Sequence, residues 1–157
     1  MTTIRDCIAP DRNPKVPSIK LPEGSIDTHV HIFESQYPLF EGRGYNPPDS
    51  TLDDLKHLHS QLGVSRVVYT QPSPYGVDNS AILKGMKVMN DETPGRARGV
   101  CAIKMDVSDD FLEDLDKQGI KGVRLNMDNI GGMPIGLDEI PTREERIKDL
   151  GWHVEYL

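Results

Sequence analysis

Leu62-Gly63-Val64-Ser65-Arg66-Val67-Val68-Tyr69-Thr70 contains the junction on which the fold turns. Leu52, Leu55, Leu58 and Leu62 keep helical spacing up to Gly63, and glycine ends helices because it enters left-handed backbone without steric cost. The β-branched run that follows favours a strand. The same device recurs at Gln118-Gly119-Ile120 and at Leu150-Gly151-Trp152. A helix that stops on glycine and passes directly into apolar strand residues is thus the repeating joint of this chain.

Outward from these joints the chain alternates. Strands are expected at Ser25 to Phe33, Arg66 to Thr70, Ala97 to Lys104, Gly119 to Asn126 and Trp152 to Leu157. Helices are expected from Ser50-Thr51-Leu52-Asp53 to Leu62, from Val77 to Glu92, from Ser108 to Gln118, and from a capping-box start at Thr142-Arg143-Glu144-Glu145. Alternation at roughly 30 residues per βα unit predicts a parallel sheet with right-handed crossovers, α/β in class. Five strands suit either an open doubly wound sheet or part of a barrel, and no Gly-x-Gly-x-x-Gly follows the first strand to favour the former. A (β/α)8 TIM barrel needs about 250 residues. The expectation is therefore an extended arm over 1–24 and, over 25–157, the first four βα units plus strand five of a barrel. Tyr156-Leu157 falls inside a strand, so the sequence reads as a fragment lacking about three units.

Composition narrows the setting. The 157 residues are 36% hydrophobic and 27% charged, with no apolar run near the length of a membrane span. Met1 to Leu21 lacks a signal-peptide apolar region, and two cysteines make no disulfide framework, so a cytoplasmic protein is expected. A net charge of −7 disfavours nucleic acid as a partner. It leaves room for a small anionic substrate, because a local site can oppose the global sign.

His29 and His31 carry the chemistry. Two apart on a strand, they point to one face, and at the first strand of a barrel that face is the interior, near the mouth where such folds react substrates. Imidazole can ligate zinc, accept a proton or polarise a carbonyl. Strict alternation adds Asp27 to the same face. Arg124 shares a strand face with Gly122 and Asn126, and a guanidinium at a barrel mouth suits a carboxylate held by two parallel hydrogen bonds. Ser73 and Tyr75 fall in a βα loop at the substrate end. Tyr45 lies in the Gly/Pro-rich loop Glu34 to Pro48. His57 and His59, two apart on a helix, are expected on the surface, and His153 deep at the start of strand five.

Ile26-Asp27-Thr28-His29-Val30-His31-Ile32-Phe33, followed by Gln71-Pro72-Ser73-Pro74-Tyr75-Gly76, Gly122-Val123-Arg124-Leu125-Asn126 and Gly151-Trp152-His153, resembles the amidohydrolase-related family. Within it the segments are most similar to the lactonase branch, which acts on pyrone dicarboxylates and sugar lactones. The resemblance implies a hydrolase that opens a carboxylated lactone by water attack. It implies His29 and His31 beside the lactone as catalytic residues, or as metal ligands if a metal is bound. It further implies Arg124 as the carboxylate clamp, with Ser73, Tyr45 and Tyr156 donating to the same anionic groups. The aspartate that activates water in this branch would lie on a strand outside these residues. Cofactor expectations are none or a single divalent ion such as Zn2+, since the lysine that bridges two metals late on strand four has no counterpart at Val123-Arg124-Leu125-Asn126. A zinc-dependent decarboxylase of the same superfamily and an inactive half-barrel scaffold, assembled as a homo-oligomer, are the rival readings.

Overall fold

The structure, a computed structural model, describes residues 4–104, 106–126 and 140–157. Its main sheet has five parallel strands: β2 (Ile26–Val30), β4 (Arg66–Thr70), β5 (Ala97–Cys101), β6 (Ile120–Leu125) and β7 (His153–Tyr156). They lie side by side in chain order, β2-β4-β5-β6-β7. That order answers the question left by periodicity. A doubly wound sheet reverses direction at a switch point, whereas a barrel wall adds each strand on the same side of the last. The chain is an α/β half-barrel.

Helices α1 (Leu52–Leu62), α2 (Ser80–Glu92), α3 (Asp109–Lys117) and α4 (Ile140–Lys148) connect the strands. Thr51 caps α1 through a capping box: its hydroxyl accepts the Asp54 amide, and the Asp54 carboxylate accepts the Thr51 amide. Gly63, Gly119 and Gly151, the three joints read from sequence, all have left-handed φ, at 78°, 100° and 67°. A side chain there would be strained. Ile82, Met86 and Met89 of α2, with Leu112 and Leu115 of α3, bury their stripes against Tyr69, Ala97, Ile120 and Val123 on the outer sheet face. Gly85 lets α2 sit close, since a Cβ there would be 3.1 Å from Ile32 Cδ1 and 3.3 Å from the Tyr69 ring.

Several boundaries differ from expectation, for local reasons. Helix α2 starts at Ser80 rather than Val77, after a 3-10 turn at Ser73–Tyr75. The buried Gln71 amide donates to Gly76 O at 3.2 Å and Asp78 O at 2.8 Å, tying those carbonyls into a loop. Strand β5 ends at Cys101 rather than Lys104, because the Asn79 side chain takes both backbone groups of Ala102 at 3.0 and 2.8 Å. Helix α4 begins at Ile140, two residues before the Thr142 start. The N-terminal arm is not wholly free-standing. Its β1 (Arg5–Asp6) pairs in parallel with β3 (Tyr45–Asn46), inside the loop between β2 and α1.

Candidate active site

The inner sheet face carries His29, His31 and Arg124, but not in the way simple alternation places them. On β2, Asp27 pairs with Val67 and Val30 with Tyr69, so a bulge intervenes. Val67 and Tyr69 face the helices, and Asp27 therefore does too, leaving the interior group that periodicity assigned it to. There its carboxylate meets His59 Nε2 at 3.0 Å, and His59 is 1% exposed. The surface expectation for His59 fails because the charge that makes burial tolerable comes from a strand distant in sequence. The bulge leaves His29 and His31 together on the interior wall, ring centroids 5.0 Å apart and edge to face.

His31 is the better-defined of the two. Its Nδ1 lies 2.8 Å from Thr70 O, and a carbonyl only accepts, so Nδ1 holds the proton and Nε2 the lone pair. Burial lowers its pKa from 6.5 to about 4, with Arg124 and His29 depressing it further and the Thr70 bond opposing. His31 is a neutral imidazole with a free acceptor nitrogen. It cannot donate to a carbonyl from Nε2; it can take a proton. His29 is half-exposed, with Nδ1 3.5 Å from the Glu155 carboxylate.

Arg124 is partly buried on β6, in register with Glu155 on β7. It donates from Nη1 to Gln71 O at 3.1 Å. Among the described residues no carboxylate oxygen lies within 4.0 Å of its guanidinium. Burial lowers its pKa, opposed by Tyr45 and Glu155, yet an arginine stays charged at neutral pH. Burial likewise raises the Tyr45 phenol, against the pull of Arg124, so Tyr45 is a protonated donor beside it. Ser73 joins the group from the loop after β4: its hydroxyl accepts Asn126 Nδ2 at 3.0 Å and has its own hydrogen left to donate. The structure thus gathers His29, His31, Arg124, Ser73 and Tyr45 at one end of the sheet.

Tyr156 does not join them. It registers with Leu125, whose side faces the helices, and its hydroxyl bonds Glu144 of α4. Strand alternation instead turns its neighbour Glu155 inward, a residue the sequence reading missed although the two-residue period from Arg124's partner strand would have found it. His153 also faces inward, its ring where a Cβ on Gly122 would fall, 2.6 Å away, and is half-exposed rather than deep. His29 and His31 would offer two nitrogen ligands to a metal. Among the described residues, no group of three or more His, Cys, Asp or Glu side chains is arranged to hold one.

Comparison with known proteins agrees with this architecture. A family model described as amidohydrolase matches residues 26–157. A 2-pyrone-4,6-dicarboxylate hydrolase of Comamonas testosteroni is 36% identical over 144 residues, covering 90% of this chain and 46% of that protein. A 4-sulfomuconolactone hydrolase of Hydrogenophaga intermedia is 34% identical over 120 residues, covering 75% of this chain and 38% of that protein. A crystal structure from Acinetobacter baumannii, assigned as a 2-pyrone-4,6-dicarboxylic acid hydrolase and holding citric acid, superposes with a TM-score of 0.72 at 28% identity, over 85% of this chain and 49% of its own. The chain spans about half the length of the relatives it matches. With a half-barrel in sequential strand order and the family model matching from β2 to the last residue, the chain belongs to the amidohydrolase family.

Proposed function

We propose that this chain supplies the carboxylate-recognising wall of a lactonase, an amidohydrolase-family hydrolase that opens a carboxylated lactone by water attack. The observation that carries the reading is Arg124: a charged, partly buried guanidinium on the interior wall whose described bond is to a neutral carbonyl rather than to a carboxylate of its own chain. A buried charge without a counter-ion is costly, and an anionic substrate supplies one. Tyr45 and Ser73 add neutral donors to the same wall.

The division of labour follows from protonation. Arg124, Tyr45 and Ser73 donate hydrogen bonds, so they bind and orient the substrate's oxygens. His31, neutral with Nε2 free, accepts a proton or a hydrogen bond close to the ring being opened. His29, held near Glu155, completes the wall on which the scissile carbonyl would rest. The names of the relatives, one acting on a pyrone dicarboxylate and one on a sulfonated lactone, support an anionic lactone as the substrate class.

The test is a panel of lactones differing only in carboxylate number, with ring opening followed by absorbance and binding followed by calorimetry. Binding and turnover should rise with the first carboxylate, and that rise should be largely lost in Arg124→Met. Equal handling of carboxylated and uncharged lactones would overturn the reading.

A further inference from the structure

The two site histidines face the interior because β2 is irregular. Asp27 lies on the helix face, so regular pleating from it would place His29 and His31 on that face as well. One extra residue before Val30 inverts the alternation, since a slip of one exchanges the two sides of a strand. The Asp27 carboxylate spans this irregularity. Its Oδ1 accepts the His29 backbone N–H at 3.4 Å, and its Oδ2 lies 3.0 Å from His59 Nε2. His59 is 1% exposed, near the end of α1, where its own carbonyl accepts the Gly63 and Val64 amides at 2.9 and 3.0 Å. The helix end therefore fixes the backbone that carries the imidazole, burial confines the ring, and the ring holds the carboxylate.

We propose that Asp27 and His59 are positioning residues: the pair clamps the β2 bulge and thereby holds His29 and His31 on the interior wall. The inference rests on the proposed function only in taking that wall as the substrate side, and NMR of the full chain decides the geometry with no substrate present. In the wild-type chain, His59 should be protonated at Nε2 and the His29 and His31 rings should show mutual NOEs. A bare Nε2 on His59 overturns the proposal at once. His59→Phe keeps a ring of similar size and removes the N–H. It should speed His29 amide exchange by about tenfold or more and abolish the ring-to-ring NOE, while Tyr69 and Ile82 core signals persist. His59→Gln, whose amide nitrogen reaches the position of Nε2, should restore both. Unchanged His29 protection and an intact NOE in His59→Phe would overturn the clamp. If that variant does not fold, Asp27→Ala, at a side chain 32% exposed, is read by the same two signals, and their persistence there overturns it equally.

Discussion

Arg124 and His31 stand close enough for one to depress the other's pKa, yet their predicted behaviours separate cleanly. If Arg124 clamps a carboxylate, Arg124→Met should lower kcat/KM for a carboxylated lactone by about 2–4 kcal/mol, the scale of truncating one partner of a desolvated charged pair. Arg124→Lys should recover part of that, because an ammonium lacks the two-pronged geometry. An analogue without the carboxylate should be handled alike by all three proteins; equal losses on both substrates would mark Arg124 as a scaffold residue. His31 is predicted to make stability depend on pH. Its folded pKa, about 4, lies below its unfolded value of 6.5, so the unfolded chain binds the proton more readily. The stability this group contributes is whole above pH 6.5 and is lost as pH falls from there toward 4. His31→Asn, which keeps a donor for Thr70 O but does not titrate, should flatten that part of the Tm-against-pH curve. An unchanged slope would show that other groups set it. Both residues were legible in the sequence as site candidates from their chemistry and strand position, but for His31 the side of the strand is set by the β2 bulge. The places of Asp27 and His59 were not legible. These two meet across 32 positions and a bulge, neither of which leaves a local signature, whereas Glu155 needed only the two-residue period of its own strand.

At the level of single elements, the joints were the most readable features, since glycine at a helix end and β-branched residues after it act through local backbone energetics. The ends of α2 and β5 were not readable, because each is set by one buried amide side chain, Gln71 or Asn79, capturing backbone groups that periodicity alone would assign to regular structure. Helix α1 offers a quantitative check. Its capping box joins Thr51 and Asp54 in both directions, at 3.2 and 3.0 Å, and the Thr51 amide holds the Asp54 carboxyl below the usual carboxylate range. Thr51→Ala should destabilise the protein by about 1 kcal/mol in urea denaturation, and Thr51→Ser by much less. The effect has a functional reach, because α1 carries His59. If the helix start frays, the His29 amide should exchange faster in Thr51→Ala as well. Loss of stability with no change at His29 would mean that the far end of α1 is anchored independently of its cap.

At the scale of the molecule, the sheet has two free edges among the described residues, one on β2 and one on β7. No proline lies within β2 or β7 to interrupt their backbone donors, and their protection is limited to the β2 bulge and the inward charge of Glu155. Apolar side chains sit beside these edges in the open, Ile26 at 43% exposure on β2 and Leu157 at 55% just past β7. Edge backbone groups and apolar surface together favour strand-to-strand association, and the net charge of −7 opposes it only where salt is low, since screening at physiological ionic strength acts over about 8 Å. A protein of these 157 residues is therefore expected to self-associate at micromolar concentration, more strongly as salt rises. Sedimentation velocity over a range of protein and salt concentrations measures this directly. Placing a lysine at Ile26 should shift the distribution back toward monomer, because a charge at an edge must be desolvated before another strand can pair. A single monomeric species at all salts, unaffected by Ile26→Lys, would show that the open edges are guarded by the curvature of the sheet itself.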